Sequence, residues 1–90
     1  MNAIVYSRDE IVTEIKKIIA ARLGVAESII TEQTRAQDVP NWDSVTNILL
    51  VSGIEKHFKI QFQLSHVVYW KNFQDMVDAT YQLVLAKNHK

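Results

Sequence analysis

Apolar residues recur at three- and four-residue spacing in three stretches of this chain, and about twenty residues without any period separate the first stretch from the second. In the first stretch Ile11, Val12, Ile15, Ile18, Ile19 and Leu23 form the stripe of an amphipathic helix. Ser7 followed by Glu10 is a capping-box signature, in which each side chain satisfies a free backbone N–H of the other residue. Gly24 stands just past the last apolar position, where a left-handed residue ends a helix. The spacing predicts a first helix over about residues 8 to 22.

Residues 24 to 43 sustain no period. Val25, Ile29 and Ile30 are candidate anchors, with one short turn near Ala26-Glu27-Ser28, while Thr31, Thr34, Asp38, Pro40 and Asn41 interrupt the segment. A loop this long in a small domain usually marks function. A second helix is expected from Ser44 to Phe58, N-capped by Asp43. Gly53 inside it suggests close approach of another backbone. Residues 59 to 63 alternate too briefly to be more than an extended connector. Ser65 is the expected cap of a short helix through about Tyr69, and Asn72 that of the last helix. There Phe73, Met76, Val77, Thr80, Tyr81 and Val84 hold the helical period. The expected fold is all-α: a four-helix bundle of three long helices, one short one and a long first loop.

Ninety residues leave no apolar surplus for a second core, so residues 1–90 are expected to form a single domain with an ordered core over about 7–86. With no cysteine, packing must supply the stability. Ten basic and ten acidic residues are intermixed, which argues against nucleic acid or an acidic membrane surface as partner. The first residues lack the pattern of a signal peptide, and no segment approaches the roughly 20 apolar residues of a membrane span. A cytoplasmic monomer is the expectation. His57, His66 and His89 have no metal-ligand spacing and are expected to be surface or packing residues. Lys16-Lys17 and Lys87-Asn88-His89-Lys90 read as solvated faces or ends.

The second helix carries two apolar faces. Asn47, Leu50, Val51, Ile54 and Phe58 fall on one side and form the core stripe. Val45, Ile48, Leu49 and Ser52 fall on the opposite side, where either the long loop covers them or a partner meets them. That second face lies within one turn of Ser44. Asp-Ser at a helix start has an ordinary explanation, with Asp43 as cap and Ser44 tolerated in the first turn. The position also suits a phosphodiester, because free N–H groups and the helix dipole favour negative charge there.

The run Val39-Pro40-Asn41-Trp42-Asp43-Ser44-Val45, then Ile48, Leu50-Val51, Ile54-Glu55 and Phe58-Lys59-Ile60-Gln61-Phe62, resembles the acyl and peptidyl carrier protein family. Helix order and the long loop extend the resemblance over roughly residues 8 to 86. It implies an acyl-carrier-protein-like bundle and a 4'-phosphopantetheine arm on Ser44, taken from coenzyme A by a phosphopantetheinyl transferase. It also implies that Asp43 helps to hold the magnesium ion of that transfer. The arm's thiol would carry acyl or aminoacyl groups as thioesters between a loading enzyme and downstream transferases or synthases, and the chain itself would catalyse nothing. Val45, Ile48, Leu49, Glu55 and Lys56 would meet those partners.

Three departures qualify the resemblance. Helix 2 has only Glu55 where many relatives are acidic, which favours a more apolar contact and a dedicated biosynthetic pathway. Lys59 stands where a glycine often ends that helix. Val45 replaces the usual Leu or Met. Trp42 is expected to pack over the loop, whereas Tyr69 and Trp70 belong either to the core or to the mouth of an acyl cavity between the second and third helices. Three other functions are open to the same residues. The chain could be an unmodified carrier-like module docking through Val45, Ile48 and Leu49. A hydrolase with Ser44 served by His57 or His66 would lack the glycine-flanked nucleophile elbow. A helix-turn-helix DNA binder is suggested only by size and helix content.

Overall fold

The structure is a computed structural model and describes residues 6–88, apart from the side chains of His66 and Asn88. His89 and Lys90 of the expected solvated end lie outside the described residues. The helices are α1 (Arg8–Leu23), α2 (Ser44–Phe58), the single turn α3 (Leu64–Val67) and α4 (Phe73–Asn88), and no strand occurs among the described residues.

Helix α1 starts and stops where its sequence directs. Ser7 Oγ accepts from Glu10 N at 3.1 Å, and Glu10 Oε1 accepts from Ser7 N at 2.8 Å, closing the capping box. Gly24 ends it at φ 71°, its N–H donating to Ala20 O. Ile11, Ile15, Ile19 and Leu23 are buried, and α1 packs against both α2 and α4. From α2 come Leu50, Ile54 and Phe58, and from α4 Phe73, Met76, Val77, Thr80 and Val84. Thr80 keeps its hydroxyl satisfied in the core by donating to Met76 O at 2.8 Å.

The segment between α1 and α2 is held at several points. It contains 3-10 turns at Glu27–Ile29, close to the expected turn, and at Ala36–Asp38. Ile30 is buried and Val25 half-buried, but Ile29, expected as an anchor, is 48% exposed because the first 3-10 turn points it outward. Thr34, an apparent interruption in the sequence, is buried. Its hydroxyl accepts from Thr31 N at 2.8 Å. Phe73 N donates to Thr34 O at 2.7 Å and Gln74 N to Glu32 O at 2.9 Å, so loop carbonyls satisfy two of the free N–H groups that open α4. Asn72 Oδ1 serves a third by accepting from Asp75 N at 3.0 Å. Arg8 adds a tie from α1, donating to Asp78 Oδ1 at 2.9 Å and Glu32 Oε1 at 2.8 Å. Those bonds raise the guanidinium pKa further and hold the Glu32 carboxyl below the ordinary carboxylate range.

Three local expectations are corrected. A Cβ at Gly53 would meet Ile18 Cγ2 at 3.7 Å, an ordinary contact with a side chain of α1 rather than with a backbone. Helix α3 begins at Leu64, so Ser65 lies inside it, and the turn opens on Val67 N donating to Gln63 O. It also stops at Val67, short of Tyr69, because Trp70 N turns back to Val67 O and the indole packs edge-on against Phe62, centroids 5.0 Å apart.

Helix α2 ends without glycine. Lys59 adopts φ 57°, and its N–H and that of Ile60 both reach Glu55 O. Two further bonds support this strained turn: Glu55 Oε2 accepts from Phe62 N at 2.8 Å, and Lys87 Nζ of α4 donates to Phe58 O at 3.4 Å.

Candidate functional site

The start of α2 is assembled by the last residues of the loop. Val39 and Trp42 are buried, and between them Asn41 takes φ 72°, a left-handed conformation that asparagine tolerates better than most residues. Trp42 Nε1 donates to Asn47 Oδ1 at 3.0 Å, so the buried indole ties the end of the loop to the first turn of α2. Asn47, placed by its spacing on the core stripe, is half-buried in that bond.

Asp43 is the N-cap. Its Oδ1 accepts from Thr46 N at 2.8 Å, while its own carbonyl accepts from Asn47 N at 2.8 Å. The Thr46 N–H holds the Asp43 carboxyl below the ordinary carboxylate range, so it is an anion at neutral pH. Ser44 follows as the first residue of α2, and its side chain is exposed. Its hydroxyl therefore stands at the helix end whose N–H groups and dipole favour an added negative group. An exposed hydroxyl beside a fixed, exposed carboxylate fits attachment of a phosphodiester with a divalent cation nearby. Magnesium prefers such oxygen ligands and keeps several of its waters.

The second face of α2 is open. Val45 and Ile48 are each 67% exposed and Leu49 45%, so the long loop does not cover them. Helix α3 and the residue after it extend the same kind of surface with Leu64 at 77% and Val68 at 68%. Ser52 is half-buried at the edge of this face. Lys56 is exposed, whereas Glu55 is half-buried and gives one carboxylate oxygen to the Phe62 N–H. Tyr69 is 77% exposed, but Trp70 is half-buried against the core.

His57 does not lie near Ser44. His57 sits at the far end of α2, thirteen residues on and so about 20 Å along the helix axis. Its Nε2 lies 3.1 Å from Glu14 Oε1 of α1. Among the described residues no group of His, Asp or Glu side chains is placed to hold a metal ion, and no helix is long and apolar enough to cross a membrane. Sequence reasoning missed the Trp42–Asn47 bond, although an indole five residues before an amide on the next helix was a usable signal.

No protein-family model matches the chain. It is similar to an acyl carrier protein of Thermotoga maritima, with 38% identity over 55 residues that span 61% of this chain and 68% of that protein.

Proposed function

The chain belongs to the acyl carrier protein family, and from that premise we propose that Ser44 is the attachment point of a 4'-phosphopantetheine arm. The observation that carries this reading is the exposed Ser44 hydroxyl at the first position of α2, directly after the ionised N-cap Asp43. In the transfer, a bond forms from Ser44 Oγ to the phosphorus that bears the pantetheine of coenzyme A. The bond from that phosphorus to the nucleotide half breaks, and a base of the transferase takes the hydroxyl proton. Asp43 has two tasks on this reading. It fixes the helix start that aims Ser44 outward, and its anionic carboxylate helps to hold magnesium in the transferase complex. Once attached, the group would supply a terminal thiol on which an acyl or aminoacyl cargo travels as a thioester.

The rest of the chain presents the cargo to other proteins. Val45, Ile48 and Leu49 form the apolar contact for a transferase and for the loading and downstream enzymes, with Lys56 at its border. With Glu55 as the one acidic residue of α2, and that residue engaged by Phe62 N, the contact relies on apolar burial more than on charge. This favours partners of a dedicated biosynthetic pathway. We place the protein in the cytoplasm as a monomer in one carrier domain over residues 1–90. We also infer that it performs no catalysis of its own.

The test is the intact mass of the folded protein before and after incubation with coenzyme A, magnesium and a broad-specificity phosphopantetheinyl transferase. The expected result is a gain of one phosphopantetheine that is lost in Ser44→Ala. Absence of any gain, from protein shown to be folded and unmodified at the start, favours the second reading. In that case the open Val45/Ile48/Leu49 face docks a partner without any arm.

A further inference from the structure

The outward side of α2 changes character along its length. Val45, Ile48, Leu49, Ser52 and Lys56 share that side by their three- and four-residue spacing, opposite the buried Leu50, Ile54 and Phe58. Its first two turns are apolar. Its last turn carries the exposed Lys56, and the exposed Lys59 closes the helix. Lys56 stands twelve residues after Ser44, about 18 Å along the axis. The strip is therefore an apolar patch beside Ser44 with a cationic pole at its other end. Neighbouring carboxylates do not offset that pole. Glu55, at its flank, is half-buried and accepts from Phe62 N, while Glu14 of α1 is engaged by His57 at 3.1 Å and Lys17 at 3.9 Å. Among the described residues neither Lys56 nor Lys59 enters an ion pair.

Lysines at a helix C-terminus have an ordinary use, since they complement the dipole and reach the last carbonyls. Here that end has other partners. Lys87 of α4 donates to Phe58 O at 3.4 Å, and the N–H groups of Lys59 and Ile60 turn back to Glu55 O. Lys59 also adopts φ 57°, where glycine would relieve strain, so the backbone does not require a lysine there. A cationic pole continuous with an apolar patch fits a protein surface of the reverse kind, with an apolar centre and carboxylates about 18 Å from the point where Ser44 enters. A lipid surface suits it less well. The two lysines lie together at one end instead of flanking the apolar residues, and the whole chain has no net charge to draw it to an anionic membrane. We propose that α2 docks acyl-transfer partners that carry an acidic rim opposite Lys56 and Lys59, and that this pole disfavours partners with a basic rim. The proposal rests on Val45, Ile48 and Leu49 as the partner contact.

The test is a charge-swap titration with a phosphopantetheinyl transferase chosen for a basic docking surface, and with a form of it in which those basic residues are glutamate. The full chain is used as Ser44→Ala, so that docking is measured without modification. Kd is determined at ionic strengths of about 0.01 M and about 0.15 M, where the screening length is about 30 Å and about 8 Å. At the lower ionic strength the chain is expected to bind the acidic form about tenfold more tightly than the basic one. Lys56→Glu/Lys59→Glu should reverse that preference, Lys56→Gln/Lys59→Gln should abolish it, and salt should shrink it. The glutamine pair decides the matter should the glutamate pair fail to fold. Binding to neither form, equal binding to both, or a preference that the glutamine pair leaves intact would overturn the proposal. Binding to phosphatidylserine vesicles that the glutamine pair abolishes would overturn it too, by assigning the strip to a lipid surface. Loading of the chain with its native Ser44, followed by mass, reports on the attachment point separately. An arm gained at equal rates from both forms sinks the acidic partner and leaves Ser44 standing.

Discussion

Helices α1 and α2 are built by the same local rules and end up doing different things. Each opens on a side-chain N-cap, Ser7 or Asp43, and each closes on a left-handed residue, Gly24 or Lys59. Each buries one apolar stripe in the shared core. The faces opposite those stripes differ. In α1 that face carries Glu10, Thr13 and Lys17, while in α2 the exposed residues include Val45, Ile48 and Leu49. A helix in a small bundle needs only one apolar side to be stable, so the second side of α2 is not a demand of folding. Its position next to Ser44 is the reason we propose it as the contact for partner proteins.

The largest effect that separates the two faces is in the core. Ile15→Ala in α1 and Ile54→Ala in α2, both at fully buried positions, are expected to lower stability by about 2–5 kcal/mol in urea titrations. Ile48→Ala and Leu49→Ala should stay within about 0.5 kcal/mol of wild type and instead slow loading by the transferase. If Ile48→Ala destabilised as strongly as Ile54→Ala, the open face would belong to the core and the contrast would collapse.

A smaller difference is expected at the C-terminal ends. Gly24→Ala places a Cβ on a backbone at φ 71° and should lose about 1–2 kcal/mol. Lys59→Gly relieves the same strain at φ 57°, less the added freedom of the unfolded chain, and should gain about 0.5 kcal/mol. Thermal melts of the two variants should move in opposite directions.

The smallest effect distinguishes the N-caps by pH. The Asp43 carboxyl has a lower pKa in the folded chain than when unfolded, so its contribution is fully present above the unfolded value, about 3.9. It is lost as pH falls through the lower folded value. Asp43→Asn keeps a capping side chain but has no carboxylate to titrate. The stability gap between wild type and this variant should therefore be constant above about pH 5 and narrow in acid. Glu32 and Asp38 are lowered too, but they titrate alike in both proteins and cancel in the difference.

Local signals were legible because they act over a few residues. The Ser7/Glu10 box, the Gly24 stop, Asp43 as cap and the buried stripe of α2 all came from neighbours three or four positions apart, and the structure holds them there. Ser44 was legible as a candidate for the same reason, since the first turn of a helix is chemically distinctive wherever it occurs. The α3 boundaries were not legible, because a helix of one turn is decided by what it packs on. Phe62 drew Trp70 inward and ended the helix before Tyr69.

By itself, then, the order of residues determined the three long helices, their caps and the place of Ser44 at a helix start, through hydrogen bonds and apolar spacing within single turns. Tertiary structure decided what distant residues do to one another. It turned Thr34 from an interruption into the point where the loop caps α4, joined Arg8 to Glu32 and Asp78, and gave Gly53 an isoleucine side chain for a neighbour. It also left Val45, Ile48 and Leu49 uncovered and set Phe62 against Trp70 beside them. These contacts join residues far apart in the chain, and no periodicity encodes which of two apolar faces will find a cover.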